Sequence, residues 1–114
     1  METKFNFKSQ VCTNRVQSER LLELGLKKET ADMRWERISE KYAYYPSTKT
    51  PYASSDIPAW SLGRLIETIQ EVCPQVILIR HRVDIRSNVK RIAYSFDSYD
   101  NLYDNIIDCI EWLI

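Results

Sequence analysis

Glycine is nearly absent from this chain, with two residues in 114, Gly25 and Gly63. Nucleotide-binding classes that cradle phosphate in a glycine-rich loop are therefore excluded. Histidine occurs once, at His81. Neither sign of charge is in excess, because 16 Lys and Arg meet 16 Asp and Glu. That balance excludes a basic nucleic-acid arm and an acidic tail. No run approaches 18 consecutive apolar residues, so no membrane-spanning helix is expected. The segment from Met1 to Gln10 has two lysines but no apolar stretch, and does not read as a secretory signal. The cysteines, Cys12, Cys73 and Cys109, are odd in number and far apart. They match no zinc pattern and read as reduced, buried thiols of a cytoplasmic protein.

What is present is apolar mass: 44% of residues are hydrophobic. At this length folding buries roughly 65% of the extended surface, enough for one core without staples. A single domain over residues 1–114 is expected. No internal repeat or low-complexity tract divides it.

Local signals place the elements. Phe5, Phe7 and Val11 share one parity and suggest a weak edge strand. Asn14 and Gln17 have capping-box spacing and open a short helix carrying Val16, Leu21 and Leu24. Gly25 fits the left-handed position that stops it, with Leu26 as the accompanying apolar contact. Met33 and Trp35 lie on one face of a strand reaching Ile38. A long irregular loop is expected at about residues 40–59, where Pro46, Pro51 and Pro58 argue against an ordinary helix or central strand. Ser61 caps a helix bearing Leu62, Leu65, Ile66 and Ile69, and Pro74 ends it.

Residues 77–96 read as a β-hairpin. Ile77, Ile79, His81, Val83 and Ile85 share one parity, while Leu78, Arg80, Arg82, Asp84 and Arg86 share the other. A two-residue turn at Ser87-Asn88 would pair Val83 with Ile92, His81 with Tyr94 and Ile79 with Phe96. Asp84 would then stand opposite Arg91. A final helix, capped by Asp97 or Ser98, buries Leu102, Ile106, Cys109, Ile110 and Leu113, and leaves Asp104, Asp108 and Glu111 wet. The order of elements predicts an α+β two-layer domain. An antiparallel sheet of three or four strands would carry helices packed on one face.

Catalytic chemistry has little support. His81 reads as a core histidine satisfied by Tyr94 or a backbone carbonyl. Pairing it with Cys73 as base and nucleophile lacks a third, orienting group. No catalytic residue, cofactor or metal ligand is assigned, and the chain reads as a non-enzyme. Two surfaces remain. Tyr42, Tyr44, Tyr45, Tyr52 and Trp60 form a candidate partner surface, since Tyr and Trp anchor many interfaces. A homodimer or another protein partner fits it. Arg80, Arg82, Arg86 and Arg91 form a candidate anion or nucleic-acid surface on one sheet face. Nucleic acid is the weaker alternative, because Asp84 interrupts the arginines and no ring alternates with them.

Four segments together carry a resemblance. They are residues 17–26 (Gln17 to Leu26), Thr30-Ala31-Asp32-Met33, residues 57–67 around Pro58-Ala59-Trp60-Ser61-Leu62, and residues 104–113. The chain resembles a group of small uncharacterised proteins of Bacteroides-type bacteria, often found near prophage or mobile-element genes. The resemblance implies a bacterial, cytoplasmic accessory protein and carries over no site residue.

Overall fold

The structure, a computed structural model, describes residues 10–38, 41–46, 56–87 and 92–114, with the backbone alone at 37, 38, 41–46, 87 and 92. In chain order these form α1 (Arg15–Glu23), β1 (Met33–Ile38), β2 (Lys41–Pro46), β3 (Ile57–Ala59), α2 (Leu62–Gln70), β4 (Gln75–Ile79), β5 (Arg82–Ser87), β6 (Ile92–Phe96) and α3 (Leu102–Leu113). A 3-10 turn covers Lys28–Thr30. Phe5 and Phe7 of the expected early strand lie outside the described residues, and Val11, which is described, belongs to no strand.

The α+β class is as expected. The strands divide into two antiparallel three-stranded sheets, ordered β2-β1-β3 and β4-β5-β6. α2 contacts β4, while α3 contacts β5 and β6, so these two helices cover one face of the second sheet. Leu65, Ile69, Val83, Ile85, Phe96 and Ile106 meet between those layers. α1 docks on α3 and β3.

The helix ends follow from their sequences. Asn14 accepts from the Gln17 amide at 2.8 Å, and the Gln17 side chain accepts from the Asn14 amide at 3.0 Å, which closes the capping box. At the other end Gly25 adopts φ 106°. Its N–H reaches Leu22 O, and the Leu26 N–H reaches Leu21 O, both at 3.1 Å. These two bonds are the Schellman pair, and they need the left-handed residue that only glycine adopts without strain. Within α1, however, Val16 is exposed and Gln17, Ser18 and Leu21 face inward. The inward face is polar because Gln17 bonds to α3.

The cap of α3 differs from expectation. Asn101, rather than Asp97 or Ser98, accepts from the Asp104 amide at 3.2 Å. Residues 97–100 are instead held in a bend by Asn105, whose side chain accepts from Tyr99 N at 3.0 Å and donates to Tyr99 O at 2.9 Å.

Two further corrections concern strands. The stretch read as one irregular loop at 40–59 contains β2, paired along β1, and β3, paired on its other side. Pro58 is accommodated because β3 is an edge. The continuous strand read from Ile77 to Ile85 is broken by a chain reversal at Arg80 and His81. Ile79 pairs with Arg82, and Arg80 has φ 55°. A two-residue turn joins positions of opposite parity, so the inward set changes from even in β4 to odd in β5. Val76 and Leu78 lie beside Ile85 and Val83 on the inner face. β6 is displaced by four residues from the expected pairing: Val83 pairs with Phe96, Asp84 with Ser95, and Ile85 with Tyr94. An even displacement keeps the faces, so Val83 and Phe96 remain buried together.

Candidate contact surface

The outer face of β4-β5-β6 carries the features most open to a partner. Register places Gln75, Ile77 and Ile79 of β4 on that face, alongside Arg82, Asp84 and Arg86 of β5 and Ala93 and Ser95 of β6. Ile77 is 60% exposed and Ile79 46%. Two adjacent exposed isoleucines on one strand face are apolar area that water covers at a cost of roughly 25 cal/mol per Å². Beside them, Arg82 Nε lies 3.1 Å from Asp84 Oδ1, and the Ser95 hydroxyl donates to the same oxygen at 2.7 Å. That carboxylate is therefore neutralised in place.

Of the expected arginine platform, Arg82 and Arg86 share the outer face of β5. Arg80 sits in the β4–β5 turn, at positive φ. Arg82 is tied to Asp84, Arg86 is exposed next to Gln75, and Arg91 lies outside the described residues. The expected Asp84–Arg91 pairing is replaced by Asp84 opposite Ser95.

The aromatic surface is also altered. Tyr42, Tyr44 and Tyr45 lie on β2, opposite Arg37, Trp35 and Arg34. Tyr52 lies outside the described residues. Trp60 is fully buried and cannot belong to a partner surface. Its indole N–H donates to Thr30 Oγ1 at 3.0 Å, and its amide donates to Thr13 Oγ1 at 3.0 Å. Its carbonyl accepts from the Thr13 amide at 2.9 Å. A ring flanked by these bonds is a structural wedge at the entry to α2. The adjoining cap is shared, since Asp32 accepts from the Ser61 amide at 2.8 Å and from the Ser61 hydroxyl.

A different aromatic group lies where β6 meets α3. Tyr94 stacks on Trp112 at 5.2 Å between centroids, with Phe96 at 4.8 Å from Tyr94. The concavity beside them, about 490 Å³, includes Asp108 and Glu111. Both carboxylates are engaged by Arg20, at 2.7 and 2.5 Å. Those bonds, led by the one to Asp108, push the Arg20 pKa up. The carboxylates read as a wet helix face therefore help dock α1 on α3. Gln17 completes that docking by donating to Asp104 at 2.8 Å and Asn101 at 3.2 Å.

All three thiols are buried and free, as expected. Burial, with the negative charge of Asp32 second, raises the Cys12 pKa to about 11. Burial, with Cys73 second, raises Cys109 to about 12. Neither is the low-pKa thiolate a nucleophile requires. The Cys73 thiol donates to the Arg86 carbonyl at 2.9 Å, at the start of β4. His81 follows the other end of that strand, so the two residues lie more than about 13 Å apart at 3.3 Å of rise per residue. They form no base–nucleophile pair. Among the described residues no group of three His, Cys, Asp or Glu side chains is placed to hold a metal ion, and no helix is long and apolar enough to cross a membrane.

Ile77 and Ile79 were the surface residues that sequence reasoning missed. The signal was present: Val76 and Leu78 are also apolar, so β4 has two oily faces and only one can be inside. Comparison with protein-family models, curated proteins and solved structures finds no match to the chain.

Proposed function

We propose that this chain is a non-enzymatic protein-interaction domain, acting as a bacterial accessory protein of the kind it resembles, and that its contact surface is the outer face and free edge of β4. The observation that carries the reading is the exposure of Ile77 and Ile79 on an edge strand with no charged residue. Soluble domains ordinarily guard such a strand with lysine, proline or a bulge. Here Pro74 precedes the strand and Arg80 follows it, and among the described residues nothing guards the five between. The nucleic-acid alternative gains no support from the placement of Arg80 in a turn and of Arg82 against Asp84.

Affinity capture from a bacterial lysate, with the wild-type chain and an I77K/I79K variant as baits, tests the reading. The expected result is a protein, a second copy of the chain included, retained by the wild type and lost by the variant. Equal retention by both baits, or retention by neither, rejects this surface.

A further inference from the structure

We infer that the partner on this surface is a second copy of the chain, joined edge to edge through β4 in an antiparallel, two-fold arrangement centred on Ile77. This rests on the contact-surface reading above and adds its occupant. Among the described residues, no strand pairs with the far side of β4, so one row of its backbone N–H and C=O groups faces outward.

The register follows from symmetry. A two-fold axis normal to the sheet exchanges the two antiparallel edge strands, so it must lie midway between one residue and that residue's own copy. β4 has five residues, and only an axis at the middle one, Ile77, overlaps all five. Ile77 then stands opposite Ile77 of the second copy, Val76 opposite Leu78, and Gln75 opposite Ile79. None of these pairs contains a charge, so no like charges meet across the seam.

Both faces of the resulting six-stranded sheet become continuous. On the inner face the row Phe96, Val83, Leu78 of one copy runs on into Val76, Ile85, Tyr94 of the other. Val76 and Leu78 are only partly buried within a single copy, at the margin of its core. On the outer face the two Ile77 side chains cover one another. A one-residue slip would set the inner face of one copy against the outer face of the other, so the pattern selects this register.

Sedimentation velocity over a concentration series tests the inference, alongside two single-cysteine additions. The expected result is a concentration-dependent dimer whose dissociation constant rises at least about tenfold in I77K. Because Ile77 points outward, I77K should leave the thermal midpoint of the monomer unchanged, which separates loss of contact from loss of fold. Under mild oxidation Ile77→Cys should form a covalent dimer. Ala93→Cys, on the same face but on the opposite edge strand, should not. A chain that stays monomeric throughout, or a dimer untouched by I77K, overturns the inference. If that monomer nevertheless retains a lysate protein through Ile77 and Ile79, the contact-surface reading survives; if it retains nothing, both fail.

Discussion

The Asn105 side chain, fully buried in α3, donates to the carbonyl of His81 at 2.6 Å, and so ties the last helix to the β4–β5 turn. The same amide spans Tyr99 N and O at 3.0 and 2.9 Å. One side chain thus satisfies three backbone groups in two different connections, one of which is the reversal that presents β4.

Asn105→Ala should be among the more damaging single changes. It leaves three backbone groups without this partner, at a cost of about 2–4 kcal/mol. Thermal or urea unfolding would measure it. Asn105→Asp should also destabilise, because a carboxylate cannot donate to the His81 and Tyr99 carbonyls. A change below about 0.5 kcal/mol for Asn105→Ala would contradict the role assigned to it.

Asp32→Ala should cost about 1–2 kcal/mol by removing the acceptor for both the Ser61 amide and hydroxyl. Ser61→Ala should cost less than the sum of the parts when combined with it, since both act on one cap. A double-mutant cycle by chemical denaturation reads that coupling. Strict additivity would show that the two residues act apart.

Arg80→Gly should be neutral or stabilising by up to about 1 kcal/mol. Arginine at φ 55° is held in a region that favours glycine, and the relief of that strain offsets the greater entropy of glycine in the unfolded chain. A urea midpoint that falls clearly would contradict the turn assignment.

The thiols predict an alkaline limit. Cys12 rises from the ordinary 9.0 to about 11, and Cys109 from 9.0 to about 12. The folded state therefore holds these protons more tightly than the unfolded state. Their contribution is complete below pH 9 and is lost as pH rises through about 11 and then about 12. Melting temperature should decline on going from pH 8.5 to pH 10.5. At pH 8 a thiol reagent should modify none of the three cysteines before unfolding and all three after it. Rapid native labelling would contradict the burial.

Much of the secondary structure was legible because its determinants are local. Asn14 with Gln17, Gly25 with Leu26, and Ser61 act within a turn of the residues they cap, so short spacings disclosed them. The cap at Asn101 was not legible in this way. Asp97, Ser98 and Asn101 are all competent acceptors, and the choice among them depended on Asn105 clasping Tyr99. Trp60, by residue type and by its place after the Tyr-rich stretch, reads from the sequence as a partner anchor. Only its neighbours Thr13 and Thr30, distant in sequence, removed it from the surface.

The amino-acid sequence by itself determined that this is an α+β domain with antiparallel strands, a Schellman-terminated first helix, a proline-ended second helix and a third helix with one oily stripe. Those features arise from local hydrogen bonding and from hydrophobic periodicity. Tertiary structure alone decided where the chain reverses between Ile77 and Ile85, and so which isoleucines meet solvent. The residues of β4 are apolar on both faces, so periodicity could not choose between them. The choice fell to the packing of Val76 and Leu78 against the core beneath α2, which turned Ile77 and Ile79 outward.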